Sequence, residues 1–291
     1  MNEIACSFGE DSQLTGVYTP AKSAQHDKPC LLFLTAGLLH HVGPTRLHVQ
    51  MARAFADDNV ACLRFDLSGV GDSETSALGG YFQERSVSEV QQALEYLQRE
   101  HGHTSFVLVG LCSGADDALA AAAKNQRVVG LVLLNGYAYR AGFFWPFRFL
   151  KYYLPRLLMT DKIIGRLQRV VRRMMINDEP GHAADQQALD VLDNDYRYVP
   201  PQEEAGALLS RLMQEQTNML LVYTGSEYDD YLYEGQLFAM FPQLKNSEYV
   251  KEHYAQMADH TFTLDSDREN LTAQVRAWYA QAQFNRLPVE N

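Results

Sequence analysis

Apolar and polar residues alternate over Ile4 to Phe8 and again over Leu14 to Tyr18, the period of strands with one covered face. Two such stretches so close together predict an antiparallel hairpin. From Cys30 onward the pattern changes to unbroken apolar runs separated by segments with helical spacing. Cys30-Leu31-Leu32-Phe33-Leu34 leads through a glycine-containing loop into a helix over Leu47 to Ala56. The same alternation recurs with strand Val60 to Phe65 and helix Val87 to Arg99, strand Phe106 to Val109 and helix Ala115 to Lys124, then strand Val128 to Leu134. Unbroken apolar strands are buried on both faces. Their alternation with helices predicts an α/β fold with a mostly parallel central sheet flanked by helices.

After Asn135 the rhythm breaks for about 80 residues that read as helical and rich in aromatic and basic groups. Strand character returns at Met219 to Thr224 and, more weakly, at Ser247 to Lys251, before an amphipathic helix over Arg268 to Gln283. The expected organisation is a core formed by residues 1–139 and 218–291, with a helical cap or lid inserted at 140–217.

With 291 residues, 46% of them apolar, the chain has ample material for a buried core. The start lacks a basic leader and no apolar run approaches the roughly 18 residues a spanning helix needs, so a soluble cytoplasmic protein is expected. Cysteines at 6, 30, 62 and 112 form no CxxC pair, and no cofactor or metal-ligand motif is evident. The net charge of −11 repels phosphate backbones and argues against nucleic acid as a partner. That charge is uneven: residues 140–173 hold nine Lys or Arg against Asp161 alone.

The sharpest local signal is Val107-Leu108-Val109-Gly110-Leu111-Cys112-Ser113-Gly114-Ala115, an apolar strand running through G-x-C-x-G into an alanine-rich helix. A tight strand-to-helix turn that displays a nucleophile needs small residues two before and two after it. Gly110 and Gly114 occupy those places relative to Cys112, whereas Ser113 would be flanked by Leu111 and Ala115. A cysteine there gains from the helix N-terminus, which favours the reactive thiolate.

An acyl-transfer centre also needs a histidine, an orienting carboxylate and two N–H donors for the developing oxyanion. Gly225-Ser226-Glu227-Tyr228-Asp229-Asp230 follows a late strand, and Glu227 is the first candidate acid with Asp229 second. His260, in Ala258-Asp259-His260-Thr261-Phe262, lies before the final helix as the candidate base. The backbone N–H of Ser113 and that of Leu38, which follows Gly37, are the candidate oxyanion donors.

Arg64-Phe65-Asp66-Leu67-Ser68-Gly69-Val70-Gly71-Asp72-Ser73 closely resembles the D-x-x-G-x-G-x-S turn of α/β-hydrolases. Ala36-Gly37 through Val42-Gly43-Pro44, Gly110-Leu111-Cys112 and Asp259-His260-Thr261-Phe262 resemble, more narrowly, the serine-aminopeptidase-like hydrolases associated with exosortase systems. Members of that branch also tend to carry cysteine at the elbow. The resemblance implies an α/β-hydrolase fold and an acyl hydrolase (thioesterase or esterase) or an acyltransferase passing the acyl group to an amine, alcohol or thiol. A dienelactone-type hydrolase also uses a cysteine elbow, though without so bulky a cap. From a different class comes a non-catalytic ligand-binding protein on the same fold, in which Cys112 is a relic.

Phe143 to Tyr153 combines seven aromatic side chains with Arg148 and Lys151, and Arg166, Arg169, Arg172 and Arg173 follow at helical spacing. Three uses are open. The segment is a helical cap whose apolar face covers the active site while its basic face is solvated or paired with the acidic stretch downstream, a recognition surface for an acyl group carried on acyl carrier protein or coenzyme A, or a peripheral contact with an anionic membrane.

Overall fold

The unbroken apolar runs form one eight-stranded sheet in the computed structural model of the protein, which describes residues 3–22, 28–75, 82–154, 198–227 and 229–284. The strands are β1 (Ile4–Phe8), β2 (Leu14–Thr19), β3 (Cys30–Leu34), β4 (Cys62–Phe65), β5 (Phe106–Leu111), β6 (Val128–Leu134), β7 (Asn218–Thr224) and β8 (Val250–Ala255). Their order across the sheet is β1-β2-β4-β3-β5-β6-β7-β8. The β1–β2 and β2–β4 pairs are antiparallel and every later pair is parallel. All residues of β3, β5, β6 and β7 are buried, as strands covered on both faces require.

Alternate side chains divide the core into two layers. Leu31, Phe33, Val107 and Val109 face the helices α1 (Leu47–Asp57) and, near the C-terminus, Asp265–Gln281. Leu32, Leu34 and Leu108 face α2 (Phe82–His101), α3 (Ser113–Ala122) and the helix Gln202–Gln214. Past β6 come α4 (Phe144–Arg148), a π-helical turn at Phe149–Tyr153, α5 (Gln202–Gln214), α6 (Gln236–Met240) and α7 (Asp265–Gln281).

Within the stretch expected as an inserted cap, 140–217, the amphipathic helix α5 places Ala205, Leu209 and Leu212 in the main core layer. Arg166, Arg169, Arg172 and Arg173 lie outside the described residues. β8 continues to Ala255 rather than ending at Lys251, because an edge strand tolerates the polar run Lys251-Glu252-His253 on its open side.

Pairing also fixes where loops gather. Leu34 stands opposite Gly110, Leu111 opposite Leu134, Leu134 opposite Val222 and Thr224 opposite Ala255. The strands therefore end level, and the loops after β3, β5, β6, β7 and β8 emerge along one edge.

The D-x-x-G-x-G-x-S turn is a structural knot on this edge. Asp66 accepts from the His41 N–H, from His41 Nδ1 at 2.8 Å and from the Asp72 N–H at 3.0 Å. Gly71 has φ 55°, and a Cβ there would sit 2.3 Å from an Asp66 oxygen, so only glycine fits. Ser73 Oγ donates to the Asp66 carbonyl at 2.7 Å and accepts from the Thr15 N–H at 2.8 Å, tying the turn to β2.

Candidate active site

Cys112 is the single residue between β5 and α3, with φ 55° and ψ −121°. A side chain in that region is strained and persists only where its surroundings over-determine it. Here they do. The Cys112 N–H donates to the Leu134 carbonyl at 2.8 Å, and its own carbonyl receives the Ala115 and Asp116 N–H groups at 2.9 and 3.3 Å. The flanking glycines are steric necessities: a Cβ on Gly110 would lie 2.1 Å from the Gly114 carbonyl oxygen, and one on Gly114 would lie 2.6 Å from that of Thr35.

His260 brings the other candidate groups together. Its Nδ1 lies 2.5 Å from Glu227 Oε1, and the Cys112 side chain is its other interacting partner. The two partners raise the His260 pKa to about 10: the Cys112 hydrogen bond contributes most, Glu227 next, and partial burial opposes both. The imidazolium is thus held between a sulfur and a carboxylate.

Asp229, the second candidate acid, is not on the histidine. Arg148 Nη2 donates to its Oδ1 at 3.0 Å, and Arg140 Nε donates to its carbonyl at 2.9 Å and to Asp230 Oδ1 at 3.2 Å. Ser113 is likewise turned away from His260, since its Oγ accepts the Gly37 N–H at 2.7 Å.

That last bond seats the loop after β3 beside the elbow. Gly37 has φ 52°, which carries the chain around into Leu38. Leu38 is 72% exposed, so its side chain takes no part in the core. Ser113 is the first residue of α3, and its N–H precedes the first intrahelical bond. Ser113 follows Cys112 directly, and Leu38 follows Gly37, whose N–H is bonded to Ser113 Oγ.

Sequence reasoning missed Asn135. It is 1% exposed, has φ 49°, and donates from Nδ2 to the His260 carbonyl at 3.1 Å. The available signal was an asparagine immediately after an apolar strand, a residue type that tolerates left-handed backbone. Also unforeseen was the engagement of Arg140 and Arg148, which lie over the Phe144 ring at 5.7 Å each as well as pairing with the acid loop.

Among the described residues one group has the ligand types of a metal site, His41, Asp66 and Asp72. The hydrogen bonds of the Asp66 turn already employ the Asp66 oxygens and His41 Nδ1. No helix among the described residues is long and apolar enough to cross a membrane. None of the four cysteines is in a disulfide.

The fold recurs in solved structures of low sequence identity. An esterase of Pyrococcus furiosus is similar over 97% of this chain and 91% of its own, at 12% identity and TM-score 0.60. DcsB, solved in complex with its substrate analogue, is similar over 97% and 99%, at 14% identity and TM-score 0.56. A proline iminopeptidase of Mycobacterium smegmatis is similar over 97% and 100%, at 15% identity and TM-score 0.52. A search of the curated proteins found no match. The model of the alpha/beta hydrolase family matches residues 32–285, which span β3 through α7 and every candidate residue above. On that match and this sheet, the chain belongs to the alpha/beta hydrolase family.

Proposed function

We propose that this chain is an acyl hydrolase that opens ester or thioester bonds through an acyl intermediate on Cys112. The observation that carries the reading is the unbroken hydrogen-bonded series Cys112–His260–Glu227 at a strained strand-to-helix turn. A non-catalytic binder has no need for that series or for the strain. The resemblance of the elbow to the cysteine-bearing exosortase-associated branch supports the same assignment.

The Cys112 thiolate attacks the acyl carbonyl carbon, and the N–H groups of Leu38 and Ser113 receive the oxyanion. As the tetrahedral intermediate collapses, the bond to the leaving group breaks and the His260 imidazolium supplies its proton. Acylation removes the thiolate, the largest influence holding the His260 proton, so the imidazole left behind is free to act as a base. It takes a proton from water, the hydroxide oxygen attacks the thioester, and Cys112 departs as thiolate beside a regenerated imidazolium. Glu227 keeps Nδ1 directed and stabilises the charged ring throughout. An amine, alcohol or thiol in place of water completes an acyl transfer, because the thioester keeps the acyl group activated.

A small acyl substrate suffices for this chemistry. Arg140 and Arg148, two cations of the basic segment, are engaged with Asp229 and Asp230, which favours their use in fastening that segment over recognition of an anionic carrier.

The test is intact-protein mass after exposure to a panel of acyl thioesters and p-nitrophenyl esters, for the wild type, Cys112→Ala and His260→Ala. An acyl mass gain in the wild type that is absent from Cys112→Ala is expected, with water and added amines compared as acceptors. Folded wild-type protein that neither gains mass nor turns over any donor rejects the proposal in favour of ligand binding.

A further inference from the structure

The histidine and its acid sit on different loops, after β8 and β7, and a 2.5 Å contact between them demands that the loops keep a fixed separation. One buried side chain touches both. The Asn135 Oδ1 accepts the Thr224 N–H at 2.9 Å and the Thr224 hydroxyl at 3.2 Å. Because that end faces an N–H it must be the oxygen, which leaves Nδ2 toward His260, where the backbone carbonyl accepts it at 3.1 Å. Nδ2 also lies 3.5 Å from His260 Nδ1, but Nδ1 is occupied with Glu227, so the amide acts on the backbone of His260 and not on its ring.

Thr224 ends β7 and accepts the Glu227 N–H through its carbonyl at 3.2 Å. A closed circuit results: His260 backbone, Asn135 amide, Thr224, Glu227 and back to the His260 ring. Asn135 is itself anchored, its N–H donating to the Val222 carbonyl at 2.8 Å. An amide that merely satisfied one strand end would not need its second end on the residue carrying the base.

We propose that Asn135 is a positioning residue, a cross-brace whose two amide ends hold the Glu227 loop and the His260 loop at the separation in which the acid engages the base. This rests on the reading of Cys112, His260 and Glu227 as a triad. Asn135→Ala removes both ends of the brace. Asn135→Asp keeps an acceptor for Thr224 at nearly the same volume but loses the donor to the His260 carbonyl.

The experiment is an NMR titration of the His260 ring in the wild type, Asn135→Ala and Asn135→Asp, with the alkylation rate of Cys112 by iodoacetamide at pH 7 as a second readout. Both variants are first shown to be folded by circular dichroism. With the brace gone, Glu227 loses its hold. The His260 titration is then expected to fall in Asn135→Ala by about one pH unit, a tenfold loss of proton affinity, and alkylation to slow because the ring is no longer held in place beside the thiol. If Asn135→Ala does not fold, Asn135→Asp decides through its alkylation rate, which should also slow because the donor is lost. Wild-type titration and wild-type alkylation in a folded variant overturn the proposal and reduce Asn135 to a strand-end support. Neither readout needs an acyl donor. A failed brace is therefore distinct from a failed acyl-enzyme reading, which would show as absence of an acyl adduct on the wild type.

Discussion

His260 sits between two partners that both favour its charged form, and this fixes the direction of its response to pH. Its pKa of about 10 lies above the ordinary histidine value, so the imidazolium is present through neutrality and is lost as pH rises through about 10. In the proposed mechanism acylation draws on that proton, so kcat/KM should hold its plateau up to this region and decline beyond it. Glu227→Gln removes the carboxylate's share, moving the alkaline limb downward and lowering kcat/KM by roughly 10²-fold or more, within the usual range for disrupted acid–base catalysis. Asp229→Asn should leave the limb where it is, because Asp229 is paired with Arg148. Blank-corrected pH–rate profiles of both variants check this, and a shifted limb in Asp229→Asn with none in Glu227→Gln would reverse the assignment. The sequence ranks Glu227 ahead of Asp229 as candidate acid on one polar turn but holds no local feature that separates their contacts. Glu227 and Asp229 are alike in charge and share one polar turn, and an arginine 81 positions away in sequence distinguishes them. Cys112 was legible for the opposite reason, since the spacing of Gly110 and Gly114 is a local steric requirement.

The elbow is where one element dictates the shape of its neighbours. β5 and α3 approach so closely that Gly110 has no room for a methyl group against the Gly114 backbone. Gly110→Ala must separate strand from helix or distort the strained Cys112 backbone, and overpacking of this kind costs about 1–3 kcal/mol. A lowered urea midpoint at unchanged slope is the expected result, with slower Cys112 alkylation because the thiol no longer points at His260. An unchanged midpoint would show that the turn has slack. Elements with a strong period were readable from the chain alone: the hairpin, the parallel strands and the helices facing them. β8 was read short because Lys251, Glu252 and His253 do not look like a strand until the sheet supplies one hydrogen-bonding partner and leaves the other side open. α5 lies in the stretch expected as an insertion, and its apolar stripe of Ala205, Leu209 and Leu212 does not itself say what it covers; a sheet distant in sequence decides that.

At the scale of the whole molecule, the segment that leaves β6 is fastened to the loop that carries the acid. Two kinds of contact do this, and they differ in strength. The ion pairs of Arg140 and Arg148 with Asp230 and Asp229 are open to solvent, and pairs of that kind are weak and weaken further with salt. Tyr233 is more deeply involved: its hydroxyl accepts the Phe143 N–H at 3.1 Å and donates to the Ala141 carbonyl at 3.1 Å, while its ring stacks on Phe147 at 4.9 Å. Gly142 is pressed so near that a Cβ would stand 2.3 Å from the Tyr233 oxygen. A stacked pair and two hydrogen bonds together are worth roughly 1–3 kcal/mol against local opening. Tyr233→Ala should therefore raise the rate of proteolytic cleavage within residues 140–154 about tenfold or more while the global urea midpoint moves little, since local opening and global unfolding are separate equilibria. Arg148→Ala, or wild-type protein in high salt, should change that rate by less than about fivefold. If the order were reversed, with salt and Arg148→Ala opening the segment and Tyr233→Ala leaving it closed, electrostatics would be the fastening. Arg140 and Arg148 would then hold the segment to the loop after β7 through charge alone.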